Sequence, residues 1–226
     1  VLKGINFDIE AGKTLALVGE TGAGKTSVTN VLNRFYDIQK GSINIDGYSI
    51  EDVKLTSLRK QIAFVQQEVF LFSDSIFNNI TLYDEHISIN KVEQAAKQIG
   101  IHDFISTLPG GYNYSVGERG VTLSTGQRQL IAFLRVYVRN PKILILDEAT
   151  SSIDTETEQL LQNALEKLAI NRTLIIIAHR LSTIRNADKI LLFQDGKIIE
   201  QGTHNYLMQK KGVYQRMYST QQFINK

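Results

Sequence analysis

A glycine-rich segment between a strand-like and a helix-like stretch constrains the fold of this chain more than any other feature. Residues 19–26 read GETGAGKT and directly follow the apolar residues 14–18. A helical pattern comes next, with Val28, Val31 and Leu32 among the apolar residues of one face. In this strand–loop–helix context the pattern GxxxxGK[ST] forms a phosphate-binding loop, or P-loop. The segment therefore predicts a nucleotide-binding α/β core.

The residue types in this loop suit the binding of a triphosphate. Gly22 and Gly24 allow the backbone N–H groups to turn toward phosphate oxygens, and the following helix adds the positive end of its dipole. Lys25 supplies a charge to the β- and γ-phosphates, and the Thr26 hydroxyl is a ligand for Mg²⁺. The predicted cofactors are ATP and Mg²⁺. The loop residues predicted to bind them are Gly19, Glu20, Thr21, Gly22, Ala23, Gly24, Lys25, Thr26 and Ser27.

An acidic pair ends a second apolar stretch. The four aliphatic residues 143–146 run into Asp147 and Glu148. A buried strand of a parallel sheet has this composition, and such sheets bind ligands at the carboxyl ends of their strands. We predict that Asp147 holds Mg²⁺ through water and that Glu148 is the catalytic base that polarises the attacking water. The alternative, a solvated pair of acids, is the weaker one because a phosphate loop is present to use them.

The order of patterns along the chain predicts two kinds of structure. Strands and helices alternate in residues 1–72 and 141–226, which predicts a mostly parallel sheet covered by helices on both faces. An N-terminal antiparallel β part is expected, with strands at 5–9 and 42–45 and a hairpin turn at Asp46 and Gly47. Helical patterns dominate residues 73–140. We therefore predict an α/β P-loop NTPase core with an inserted α-helical subdomain.

Composition and charge exclude several classes of protein. The hydrophobic content of 42% and the charged content of 21% are those of a globular chain, and a net charge of +2 gives no reason to expect a nucleic-acid partner. Without cysteine there is no disulfide framework. No apolar run approaches the ~18–20 residues that cross a bilayer. Because the chain begins at Val1 in strand-like sequence, we expect a fragment whose membrane segment lies upstream.

Residues 123–127, LSTGQ, identify a family when they are combined with the phosphate loop and the acidic strand. They resemble the signature motif of ABC ATPases, which is usually LSGGQ, and the resemblance covers the whole chain. Residues 65–68 resemble the Q-loop of that family, residues 151–154 its D-loop, and residues 178–180 its switch region. The resemblance implies the ABC ATPase fold. It also implies catalytic roles for Gln67 and His179, a Mg²⁺ contact for Gln67, and cofactor binding by Ser124, Gly126, Gln127 and Asp154.

The resemblance also implies a dimer of ABC ATPase domains. In the family, each ATP lies between the P-loop of one domain and the signature of the other. Here Thr125 replaces the first glycine of the usual signature, and altered signatures also occur in heterodimeric exporters. A homodimer and a heterodimer therefore both stay open. The aromatic residue that stacks on adenine in this family would precede Val1.

Three further segments resemble exporters within the family. Residues 71–80 resemble the segment where membrane-domain helices dock, and residues 116–120 resemble the exporter loop before the signature, with Glu118 as a transmission residue. Residues 179–184 also resemble the corresponding segment of exporters. The resemblance implies a transmembrane domain on the same polypeptide and a location at the cytoplasmic face of the inner membrane. A solvated charge pair is the alternative for Glu118 and Arg119.

Two alternatives to an ATP-hydrolysing exporter motor come from different functional classes. One is a largely non-hydrolysing nucleotide-binding half of a heterodimeric transporter, against which Gln67, Glu148 and His179 argue because all three are present. The other is a soluble ABC ATPase acting on DNA, ribosomes or cluster assembly. Such proteins usually carry coiled-coil insertions or tandem domains, and the basic patches expected for nucleic acid are missing here.

Overall fold

Strands and helices alternate along most of the chain in the computed structural model, which describes residues 1–147, 153–178 and 181–224. The strands are β1 (Thr14–Gly19), β2 (Asn44–Ile45), β3 (Tyr48–Ser49), β4 (Ile62–Val65), β5 (Ile143–Asp147), β6 (Thr173–Ile177), β7 (Lys189–Gln194) and β8 (Lys197–Gly202). The helices are α1 (Lys25–Leu32), α2 (Leu55–Gln61), α3 (Ile76–Thr81), α4 (Ile89–Ile99), α5 (His102–Thr107), α6 (Thr125–Arg139), α7 (Thr155–Ala169), α8 (Leu181–Asn186), α9 (His204–Lys210) and α10 (Val213–Ile224).

The principal sheet has six strands in the order β4-β5-β6-β1-β7-β8. Strand β1 pairs in parallel with β6 on one side and β7 on the other, and β5 pairs in parallel with β6. Only the edge strand β8 runs antiparallel among these described pairings, through its hairpin with β7. The mostly parallel α/β core that the sequence predicted is therefore confirmed.

The N-terminal antiparallel part is the short pair β2–β3. Ile45 pairs with Tyr48 across a two-residue turn, in which Asp46 and Gly47 have φ values of 51° and 83°. Positive φ at both central residues is the geometry of a type I′ hairpin, which an Asp-Gly pair favours. The turn predicted at these two residues is confirmed.

The strand predicted at residues 5–9 is wrong, because these residues carry no strand in the structure. Their alternation still reports burial: Ile5, Phe7 and Ile9 are half-buried and pack against the core, while the residues between them are exposed. Alternation shows which side chains face the core, but a strand also needs a neighbouring backbone in register. The segment is tied down instead by the Lys189 Nζ, which donates to the backbone carbonyl of Asp8 at 2.9 Å.

Contacts divide the chain into two compact units. The first comprises residues 1–64, 142–149 and 172–226, and the second residues 65–141 and 150–171. The first unit has its core in the central strands, where Leu15 pairs with Ile175 and Ile175 with Ile145 in one row of buried side chains. The domain bounds predicted from the sequence, with a helical subdomain at residues 73–140, stay a prediction.

The second unit is mainly helical and is organised around α6. This helix packs against α3, α4 and α7, and its apolar residues Leu130, Ile131 and Leu134 are fully buried. Helix α4 ends where the sequence predicted, at Gly100, which has a φ of 84° and forms the left-handed C-cap.

None of the helices in the described part of the chain has the length and the apolar character needed to cross a bilayer.

The central strand generates a test of the fold. Leu17 is fully buried in β1, so Leu17→Ala should lower the free energy of unfolding by about 2–5 kcal/mol through lost burial and a residual cavity. Leu55→Ala, at a position that is 37% exposed at the start of α2, is the matched control and should cost much less. Urea unfolding followed by circular dichroism measures both. Equal losses would contradict the central position of β1.

Candidate functional site

The phosphate loop lies between β1 and α1, where the backbone turns sharply. Gly19, Gly22 and Gly24 have φ values of 141°, 82° and 109°, a region that side chains strongly disfavour. Gly19 has a second constraint, because a Cβ there would run into the backbone carbonyl of Phe193 in β7. The loop is held to the turn after β7 by the Gly196 N–H, which donates to the Ala23 carbonyl at 3.0 Å. The glycines are therefore required by the backbone path.

Lys25, the first residue of α1, folds back over this loop. Its Nζ donates hydrogen bonds to the carbonyls of Gly19 at 2.7 Å and Glu20 at 2.8 Å, and the residue is only 6% exposed. Burial lowers the pKa of Lys25, and the nearby Asp147 carboxylate opposes that shift. The loop therefore encloses a cation whose charge is only partly compensated.

The start of α1 adds backbone donors to the same place. Its N-cap, Gly24, has no side chain to accept from the first-turn N–H groups, and the first turn contains no acidic residue. The first N–H groups of any helix lack partners within the helix. Together with Lys25 they make a positively polarised group of donors suited to phosphate oxygens.

The sheet places Asp147 at the edge from which the phosphate loop departs. Asp147 ends β5 and pairs with Ile177 of β6, and Ile177 pairs with Leu17 of β1, two residues before Gly19. Parallel strands therefore bring the acid and the loop to one end of the first unit. The proximity is reflected in the effect of Asp147 on the pKa of Lys25.

Two of the predicted catalytic residues, Glu148 and His179, lie outside the described residues. The third, Gln67, follows β4 as an exposed residue of the second unit. In the first unit the Thr26 hydroxyl belongs to an exposed residue, and Ser27 is half-buried. The structure thus describes the phosphate loop, Asp147 and Gln67 of the predicted set around the triphosphate. Their roles stay predictions.

The second unit holds the predicted signature residues at the start of α6. Ser124 is the N-cap: its Oγ accepts from the Gln127 N–H at 3.2 Å, while the Gln127 Oε1 accepts from the Ser124 N–H at 2.9 Å. This reciprocal pair is a capping box. Asp154 caps α7 in a similar way, because its Oδ1 accepts from the Thr157 N–H at 2.8 Å, and that hydrogen bond lowers the pKa of Asp154.

Gly126 has a packing role that the sequence did not predict. A Cβ at this position would run into the Cγ2 of Thr157 in α7 and would lie 2.9 Å from the Cγ2 of Ile153. The glycine therefore allows the starts of α6 and α7 to approach closely. The sequence contains no signal of this contact, because it depends on which helix packs against the start of α6.

The comparison with protein families identifies one match. The ABC transporter family matches residues 2–151 of this chain. That span includes the phosphate loop, the signature segment and the acidic end of β5.

Comparisons with individual proteins give the same result. The chain is 50% identical over 221 residues to a Staphylococcus aureus (strain NCTC 8325 / PS 47) protein named "Putative multidrug export ATP-binding/permease protein", which covers 98% of this chain and 38% of the relative. It is 50% identical over 220 residues to an ATP-dependent lipid A-core flippase of Saccharophagus degradans, covering 97% of this chain and 38% of the relative. The chain thus spans 38% of the length of each relative.

A solved structure shares the fold. A bacterial Atm1-family ABC exporter with ATP bound superposes with a TM-score of 0.90 at 45% sequence identity, over 97% of this chain and 38% of that one.

The environment of Lys25 generates a titration test. The pKa of its ammonium should lie below 10.5, and Asp147→Asn should lower it further because the opposing negative charge is removed. NMR of isotope-labelled lysine measures the pKa. Asp46→Asn, in the exposed β2–β3 turn, is the control and should leave the pKa of Lys25 unchanged.

The lowered pKa of Lys25 also determines whether its contribution to stability rises or falls with pH. Between the folded pKa and 10.5 the unfolded chain binds more protons at this position, so the contribution of Lys25 to stability rises as pH increases through that interval. A Lys25 pKa at or above 10.5 would contradict the buried position of this ammonium.

The contact between α6 and α7 generates a stability test in the absence of nucleotide. Gly126→Ala should lower the free energy of unfolding by about 1–3 kcal/mol through overpacking. Because Thr157→Ser removes the methyl group that the new Cβ would meet, the double variant should lose less than the sum of the two single variants. Additive losses in urea unfolding would show that Gly126 is not required by this contact.

Proposed function

Because this chain belongs to the ABC transporter family, we propose that it is the ATP-binding and ATP-hydrolysing motor of an exporter. The single observation that carries the proposal is the phosphate loop with Lys25 enclosed in it. Two of the three N–H groups of the Lys25 ammonium go to the carbonyls of Gly19 and Glu20. The third is directed to a phosphate oxygen of ATP, and the N–H groups at the start of α1 bind the remaining oxygens.

The donors near the loop fit Mg²⁺. This hard cation prefers oxygen ligands and usually keeps several waters. Thr26 offers a hydroxyl next to Lys25, and Asp147 offers a carboxylate at the carboxyl end of β5. We assign Thr26 as a direct ligand, Asp147 as a ligand through water, and Gln67 as a further oxygen donor. When bound, the ion neutralises charge on the phosphate oxygens.

Hydrolysis requires a base and groups that orient water. Glu148, one residue beyond the end of β5, accepts a proton from the attacking water. The oxygen of that water bonds to the γ-phosphorus as the bond between the γ-phosphorus and the β–γ bridging oxygen breaks, which leaves ADP and phosphate. Gln67 orients the water and His179 contacts the γ-phosphate. Lys25 stabilises the charge that shifts onto the phosphates.

A second ABC ATPase domain completes each site in this proposal. The start of α6 combines the Ser124 hydroxyl with the N–H group of Gly126, and a helix N-terminus attracts anions. The partner presents its signature residues to the ATP held by this chain, and Asp154 lies beside that interface. Closure of the dimer around two ATP molecules and its opening after hydrolysis then supply the movement that drives transport. The partner is a second copy or a related subunit.

The exporter assignment rests on the relatives and on the second unit. The relatives that match nearly all of this chain are named for export, permease or flippase activity and are longer than it. Within the second unit, Phe70 and Phe72 are 54% and 46% exposed and meet edge to face at 5.2 Å. We propose that residues 71–80 dock a transmembrane domain on the same polypeptide. The motor then lies at the cytoplasmic face of the inner membrane.

ATP hydrolysis with Mg²⁺ at increasing protein concentration tests this function. The specific rate should rise with concentration because a composite site needs two domains. Glu148→Gln should lower turnover by about 10²–10⁴-fold, because a positioned general base is lost, while ATP still binds.

Glu85→Gln, in an exposed loop before α4, is the control for the loss of one carboxylate and should hydrolyse ATP like the parent. A parental rate in Glu148→Gln would overturn the assigned base. Negligible turnover in the parent at every concentration, with ATP bound, would favour a non-hydrolysing half.

A further inference from the structure

Thr125 is the residue at which this signature departs from the usual pattern of its family. It is the first residue of α6 and is exposed, and its hydroxyl accepts a hydrogen bond from the Arg128 Nη2 at 3.1 Å. A glycine at this position would offer no side-chain acceptor to the guanidinium. The substitution therefore adds a contact that the usual signature sequence does not contain.

Arg128 also binds the segment that leads into the signature. Its Nη1 donates to the Leu123 carbonyl at 2.7 Å and, at the longer distance of 3.4 Å, to the Gly120 carbonyl. A Cβ at Gly120 would lie 3.0 Å from both the Arg128 Cδ and the Leu71 Cδ1, so the turn at Gly120 packs closely on the arginine stem. One guanidinium thus connects the turn at residues 118–120, the residue before the N-cap, and the first residue of the helix.

The position of Arg128 is unfavourable for the helix itself. A cation near a helix N-terminus opposes the helix dipole, and stabilising helix sequences place acids there. The hydrogen bonds that the guanidinium donates to three oxygen atoms offset this cost. The fork of an arginine can address acceptors in different directions from separate nitrogens, which a lysine ammonium cannot reproduce. The arrangement therefore stabilises the conformation of the preceding segment rather than helix α6 itself.

We propose that Thr125 and Arg128 form a positioning bridge for the signature. The bridge holds residues 120–125 in one conformation, so that the Ser124 hydroxyl and the first N–H groups of α6 are already in place when a partner domain closes. It also connects the turn containing the exposed Glu118 to the signature through one side chain. The inference rests on the proposed function, because it assumes that the signature contacts ATP bound by the partner.

Thr125→Val tests the bridge because it keeps the shape of the side chain and removes the acceptor. We expect turnover at saturating ATP to fall about three- to tenfold while the KM for ATP changes by less than about twofold, because the signature acts on the closed dimer and not on the first encounter with ATP. Thr125→Ser keeps the hydroxyl and should restore most of the turnover. Thr107→Val removes another exposed hydroxyl of the same unit, one that donates to the Phe104 carbonyl, and should leave turnover unchanged.

A second measurement decides the bridge without ATP. Amide hydrogen exchange of residues 120–127 should become at least about threefold faster in both Thr125→Val and Arg128→Lys, with exchange elsewhere in α6 unchanged. If the two residues act through one bridge, the double variant should lose no more turnover than the worse single variant.

Unchanged exchange in Thr125→Val would overturn the bridge, and faster exchange with parental turnover would overturn its importance for the reaction. A parent chain without turnover would count against the proposed function, while the exchange measurement would still decide the bridge.

Discussion

The parallel pairing of β1 with β6 and β7 is the interaction on which the rest of the first unit depends. With neighbours on both sides, β1 is buried from Leu15 to Val18 and has little freedom to shift. Its register with β6, and that of β6 with β5, places Asp147 at the edge from which the phosphate loop departs. The position of the candidate site therefore follows from backbone hydrogen bonds and apolar burial before any polar side chain contributes.

Burying the polar groups of the loop costs free energy, and the strand pairing holds them in place in spite of that cost. Burying the Lys25 ammonium removes it from water, and the Gly19 and Glu20 carbonyls compensate only part of that loss. The surrounding backbone is held by contacts with β7 and with the turn after it. A buried cation beside helix N–H groups that have no partner within their own helix is suited to bind an anion.

In the helical unit, the same side chains serve folding and the proposed chemistry. Ser124 and Gln127 cap α6, Asp154 caps α7, and Gly126 allows the two helices to approach. Loss of activity after substitution of any of these residues therefore has two possible physical causes, a weakened helix start or a lost contact with ATP. Measurements of unfolding without nucleotide separate the two causes, because only the first changes the stability of the free chain.

The sequence by itself determined the features that depend on neighbouring residues. The phosphate loop, the Asp46–Gly47 turn, the end of α4 at Gly100 and the aliphatic strand before Asp147 are local patterns of backbone preference and apolar spacing. Only the tertiary structure decided that residues 5–9 pack without forming a strand, that Lys25 folds back onto its own loop, and that Arg128 bridges Gly120, Leu123 and Thr125. These depend on which backbone or acceptor lies nearby in space, and spacing along the chain does not contain that information.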